Sequence, residues 1–290
     1  MRTRLLSLSL TALLATGAQA QSIGRMVLDD VTWAARDFGA IWLSPLHGSG
    51  RDYLIAAGVL AGGALVSPFD DNVDRWALAN RDRGVLKDLG PLRRGGSFYS
   101  LNKGVPYAGG LYVVALATKH RGLRDGIFGC LSAYSANTTI RHQLIYRVIG
   151  RVRPDTTDAV TGPPAQPGDQ YDFMVPSDGK GTHSFPGGHV ATAATCASFF
   201  ANRYDAKWVN APLVLLVTAM GVGRIADRGH WLSDQVVGVA FGYAVGREVA
   251  RRQLRRLDDE KMGSIHRRTG SGPFLNNGPT GVAMGWQRTF

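Results

Sequence analysis

From position 223 to 234 the chain reads Gly223-Arg224-Ile225-Ala226-Asp227-Arg228-Gly229-His230-Trp231-Leu232-Ser233-Asp234, which spaces Arg224, His230 and Asp234 as R-x5-H-x3-D. With a helix from Trp231 onward, His230 and Asp234 lie one turn apart on one face. A carboxylate so placed accepts a proton from one imidazole nitrogen and leaves the other lone pair free to attack. Arg224 adds a planar fork of donors suited to an oxyanion. An oriented nucleophile beside an anion clamp implies phosphoryl transfer.

Two upstream segments point the same way. One is Gly150-Arg151-Val152-Arg153-Pro154. The other is Ser184-Phe185-Pro186-Gly187-Gly188-His189, which runs into Val190-Ala191-Thr192-Ala193-Ala194. Proline and paired glycines before an alanine-rich run read as a loop entering a helix N-terminus, where free N–H groups and the helix dipole favour anions. His189 at that mouth is placed to protonate a leaving oxygen.

Together the three segments resemble the type 2 phosphatidic acid phosphatase/vanadium haloperoxidase superfamily, whose signature is Lys-x6-Arg-Pro, Pro-Ser-Gly-His and Ser-Arg-x5-His-x3-Asp. The match runs from about Tyr146 to Asp234. The resemblance implies that His230 is the nucleophile and forms a phosphohistidine, that Asp234 orients it, and that His189 is the general acid. Arg153 and Arg224 are implied to hold the phosphoryl oxygens. The sequence departs from the pattern at three positions. Tyr146 replaces the lysine, with Arg147 one place late, and Gly187 and Gly223 replace serines. Gly187 and Gly188 still offer backbone N–H groups, and Arg147 or Arg151 is a candidate to reach inward. Losing one preorganised donor costs roughly 10²-fold or more in rate.

The resemblance therefore implies an exported, metal-independent phosphatase acting on a phosphorylated lipid or a small phosphoester. A vanadate-dependent haloperoxidase and a catalytically weakened anion- or lipid-binding envelope protein are the alternatives. No cofactor is expected. A metal site of His189, His230 and Asp234 lacks an HExxH or paired cysteines, and the adjacent arginines repel a cation.

Met1 to Ala20 reads as a secretory signal peptide: Arg2 and Arg4, an apolar run from Leu5 to Leu14, then Ala18-Gln19-Ala20. Export makes nucleic acid an unexpected partner. The net charge of +11 over 290 residues suits phosphorylated substrates or an anionic membrane face. The two cysteines are expected to be separate buried thiols. On continuous helices Cys130 lies about 25 Å from Arg147, whereas Cys196 lies about 10 Å from His189.

Apolar periodicity predicts helices over Arg25–Leu43, Tyr53–Val66, Val105–Thr118, Gly126–Ile149, Gly188–Asn202, Trp208–Val222 and Trp231–Arg247, with a short surface helix around Val73 to Ala79. The expected fold is all-α, a bundle of about six main helices with the site at one end. The expected organisation is residues 1–20 as signal peptide, 21–104 as an N-terminal helical segment packing on the core, 105–250 as the phosphatase-like core, and 251–290 as a basic, Gly/Pro-rich tail. Pro154 to Pro186 is a long loop between the first two motifs, with Phe173 and His183 as candidate substrate contacts. Gly238, Gly242 and Gly246 form a small face for close helix packing. Val282, Met284 and Trp286 alternate like a strand.

Signals for the membrane conflict. Basic turns opposite the motifs fit a positive-inside pattern. The apolar runs are short, however, and the mean hydropathy is −0.07. The expectation is a periplasmic protein, soluble or membrane-associated, with an integral membrane protein as the alternative.

Overall fold

The computed structural model describes residues 23–88, 104–154, 166–177, 182–204, 207–269, 271–278 and 281–288. The signal peptide expected over residues 1–20 lies outside them. The fold is all-α. In chain order the helices are α1 (23–42), α2 (Gly50–Val66), α3 (Asp70–Asn80), α4 (Gly84–Asp88), α5 (Gly104–Ala117), α6 (Arg121–Ile140), α7 (Gly188–Tyr204), α8 (Lys207–Ala226) and α9 (Leu232–Thr269). A π-helical turn, Arg141–Ile145, and a last helical turn, Tyr146–Val148, extend α6. Two antiparallel ribbons complete the fold. Strand β1 (Gly150–Arg151) pairs with β2 (Phe173–Met174), and β3 (Ser271–Gly278) pairs with β4 (Gly281–Arg288). The alternation of Val282, Met284 and Trp286 is thus a strand, paired in a terminal hairpin.

The core forms where α1, α6, α7 and α9 meet, around Ile41, Ala133, Ala136, Phe199, Val245 and Val249. Helices α7 and α9 approach so closely because α9 presents glycines every four residues. A side chain at Gly242 would run into the Ala191 carbonyl, one at Gly246 into the Thr195 carbonyl, and one at Gly238 would meet the Gly187 carbonyl at 2.7 Å. The absent side chains let the two backbones touch.

Three expectations are corrected. Cys130 and Cys196 are joined in a disulfide. The height argument measured α6 from Arg147, but the helix overshoots the site. Arg141 is the residue level with α7, donating to Thr192, and Asn137 donates to Thr195. The six residues from Arg141 to Arg147 account for about 9 Å of the supposed mismatch. Second, α3 lies at the surface, with Trp76 exposed, but its acidic face is not solvated. Asp70, Asp71 and Asp74 are buried, because Asp70 pairs with Arg151 and Asp74 with Arg228. Third, α9 does not end at Arg247. It continues to Thr269, and Arg252 and Arg256 of its basic run pair with buried Asp37 on α1.

The stretch Gly50–Asn80 is long and apolar enough to cross a membrane, judged by length and composition. Only 6% of its most apolar window is buried. Leu54, Ile55, Leu60 and Leu65 stand exposed on α2, as do Leu111, Val113 and Val114 on α5 and Val214 and Leu215 on α8.

Two predictions follow from this packing. Gly246→Val is expected to lower the free energy of unfolding by at least about 1–3 kcal/mol through overpacking, read from denaturant midpoints at unchanged slope. Replacing both Cys130 and Cys196 by serine is expected to cost about 2–5 kcal/mol, and the wild type under reductant should match that variant.

Candidate active site

Helix α9 begins where α8 has just ended, and the turn between them carries Arg228, Gly229 and His230. Arg228 adopts a left-handed φ of 53°, uncommon for a residue with a side chain. Its guanidinium is fully buried, paired with both oxygens of Asp74 at 2.7 and 3.0 Å, and it donates to the Pro154 carbonyl. These bonds over-determine the turn and aim the next residues inward.

His230 is buried, and its Nδ1 lies 2.7 Å from the Ser184 carbonyl. A carbonyl only accepts, so Nδ1 carries the proton and Nε2 keeps its lone pair. Nε2 has no partner among the described residues. The Ser184 peptide is held on every side. Its N–H donates to the Arg151 carbonyl at 3.1 Å, and its hydroxyl donates to Asp234 at 2.5 Å. Asp234 thus reaches His230 through Ser184, and the direct carboxylate–imidazole bond expected from the H-x3-D spacing is replaced by this two-step link. The same carboxylate accepts from the Trp231 N–H at the start of α9 and pairs with Arg151 at 2.6 Å. Arg151 also bonds Asp70 at 2.7 Å, and Asp70 accepts from the N–H and hydroxyl of Ser233. Arg151 is 2% exposed, so it is a scaffold cation and not a substrate contact.

His189, in the first turn of α7, faces His230 with ring centroids 6.0 Å apart. Burial, then Arg224, Arg141 and Arg153, depress its pKa to about 3. His230 is held well below the usual histidine range, first by burial, then by Arg224, His189 and Arg153. Both imidazoles are therefore neutral at neutral pH in the free protein. Burial also lowers Arg224, whose guanidinium lies against Gly229 next to His230. The Nε atoms of Arg153 and Arg224 have no partner among the described residues.

The other candidates divide. Arg147 is exposed, whereas Arg141, missed by the sequence reading, turns inward. Its guanidinium donates to Asn137, Thr192 and the Tyr146 hydroxyl. It lies so close to Gly188 that a side chain there would collide with it. Tyr146 is buried, accepts from Arg141 at 2.9 Å and donates to the Pro186 carbonyl at 3.2 Å. Tyr146 thus aims Arg141 at the N-terminus of α7. The Gly187 N–H donates to the Asp234 carbonyl at 2.9 Å, so it is occupied within the scaffold. His183 stacks on Tyr146 at 4.6 Å, and Phe173 lies beneath Arg151, so both belong to the walls. Residues 155–165 and 178–181 of the long loop lie outside the described residues.

Chemically, the site sets two neutral imidazoles opposite each other within the field of three guanidiniums. Asp234, the carboxylate one helical turn from His230, is committed to Arg151. Such a site attracts an anion with several oxygens and presents a lone pair to its central atom.

A stretch of 80 residues, 27% of this chain, is 37% identical to a lipid A 1-phosphatase of Porphyromonas gingivalis. That stretch covers 18% of the relative, so the chain spans less than a fifth of its length. No solved structure gives a significant match. Residues 128–258 match the profile of the PAP2 superfamily. This segment, which holds Arg141, Arg153, His189, Arg224, His230 and Asp234, belongs to the PAP2 superfamily.

Proposed function

We propose that the chain is an exported, metal-independent phosphatase that hydrolyses the monoester phosphate of a lipid through a phosphohistidine. The observation that carries the reading is the Nε2 of His230, which has no partner among the described residues and is set opposite His189 near Arg153 and Arg224, whose Nε atoms likewise have none among them. In the first step Nε2 attacks phosphorus and the bond to the leaving oxygen breaks. That oxygen takes a proton from His189. In the second step water attacks the phosphohistidine and gives a proton to His189, which frees phosphate and restores His230. Arg141, Arg153 and Arg224 hold the equatorial oxygens as their charge shifts.

A lipid is favoured over a soluble ester by two observations. The relative from Porphyromonas gingivalis acts on lipid A. The apolar outer faces of α2, α5 and α8 are also costly to leave in water and suit a lipid surface. The disulfide between Cys130 and Cys196 belongs to an oxidising compartment, as does a chain exported by the signal read at its N-terminus.

His189 must carry a proton to act as an acid, yet it is depressed to about 3 in the free site. A phosphate dianion offsets the guanidiniums and raises that pKa, so binding takes up a proton. The contribution of His189 to binding is full below its free-site pKa of about 3, falls as pH rises above that value, and is lost by the higher pKa of the complex.

Phosphate release from lipid phosphomonoesters in detergent micelles is expected to survive EDTA, to fall with vanadate, and to drop by at least about 10³-fold in His230→Ala. Full turnover in that variant would remove His230 as nucleophile. Calorimetry of inorganic phosphate binding near pH 7, in buffers of differing ionisation enthalpy, is expected to show more proton uptake in the wild type than in His189→Asn. Equal uptake would count against His189 as the acid.

A further inference from the structure

Gln235 follows Asp234 on α9 and is 5% exposed. Its side-chain Oε1 and Nε2 are both buried without a hydrogen-bond partner among the described residues. The other buried amide so close to the site, Asn137, has both ends engaged, by Thr195 and Arg141. An idle buried amide is costly, and native proteins retain few such groups without a reason.

Its position supplies one. The amide lies against the loop that enters α7. A Cβ built on Gly187 would meet Gln235 Oε1 at 3.0 Å and its Cδ at 3.2 Å. A Cβ built on Gly221 of α8 would meet Oε1 at 3.9 Å. Two glycines thus clear the space that the amide fills, between the N-terminus of α7 and the helix that carries Arg224. The Gly187 N–H is already bonded to the Asp234 carbonyl, so this loop residue has no donor of its own to offer an anion. The two ends of an amide have nearly the same shape, so the NH2 group fits in either place.

We propose that the Gln235 side-chain amide is a substrate-binding donor of the anion pocket, and that Gly187 is glycine so that this amide reaches the phosphoryl oxygens. Gln235 then takes the part of a hydroxyl at position 187, where the sequence pattern led us to expect serine. The inference rests on the phosphatase reading and adds to it a residue outside the three motifs.

The test is calorimetric binding of inorganic phosphate to the full chain, with melting temperature as a control for folding and phosphate release as a second readout. Gln235→Met keeps the length and removes the donor. It is expected to weaken phosphate about 10- to 100-fold, the range for a hydrogen bond to a charged group, at a melting temperature near that of the wild type. Gly187→Ser alone is expected to weaken binding through collision with the amide. Gly187→Ser combined with Gln235→Ala is expected to bind about 10-fold or more tighter than Gln235→Ala alone and within about threefold of the wild type, a gain over the single truncation that a merely structural glutamine would not give. Undiminished binding in Gln235→Met, or no recovery in a folded double variant, overturns the inference and leaves the phosphatase reading intact. A wild-type protein that neither binds nor releases phosphate overturns both.

Discussion

The site depends on a division of labour among its cations. Arg151 and Arg228 are among the most deeply buried side chains of the protein, and each is matched by carboxylates: Arg151 by Asp70 and Asp234, Arg228 by Asp74. Burying either guanidinium unmatched would cost several kcal/mol. The acids near the pocket are spent on these two. Among the described residues, Arg141 bonds only neutral groups, the Arg153 Nε has no partner, and Arg224 has a distant one in Asp227 at 3.8 Å. After burial itself, the charge of all three depresses His189, and that of Arg224 and Arg153 depresses His230. One set of arginines holds the scaffold neutral, and the other leaves a positive field at the two imidazoles.

The same network explains how segments far apart in sequence come to share one pocket. The Ser184 peptide links β1 through Arg151, α9 through Asp234 and His230 through its carbonyl. Fixing the Nδ1 proton fixes the tautomer, and a fixed tautomer presents Nε2 without reorganisation at the moment of reaction. Asp234 also serves the first turn of α9, where its carboxylate accepts the Trp231 N–H and its charge complements the helix dipole. One residue therefore starts the helix and, through Ser184, holds the His230 ring.

His189, Arg224, His230 and Asp234 were legible in the sequence because their spacing is local and falls at helix ends, where periodicity and turn residues speak clearly. Arg141 was not. A continuous α-helix carries Arg147 toward the site, but the π turn at Arg141–Ile145 shifts the phase, so that residues five apart, Arg141 and Tyr146, meet. Asp70 and Asp74 were hidden for another reason. A helix rich in acids reads as solvated, and only partners some 80 and 154 positions away bury its acidic face. The disulfide was missed by the same overshoot of α6, which misplaced the helix register. Gln235 carries no motif, and its interest arises from contacts made across three elements.

Asp70 sits one short turn beyond the end of α2, in the helical stretch whose outer face is greasy and uncovered. The bonds from Asp70 to Arg151 and Ser233, and from Asp74 to Arg228, run straight from that stretch into the walls around His230. On the other side Gly63 admits Val237 of α9 against the last turn of α2. The apolar rod and the His230 imidazole are thus parts of one stiff bracket. If the rod enters a lipid layer, its depth there also sets the altitude of His230, and with it how far from the acyl chains a phosphate must stand to meet the imidazole.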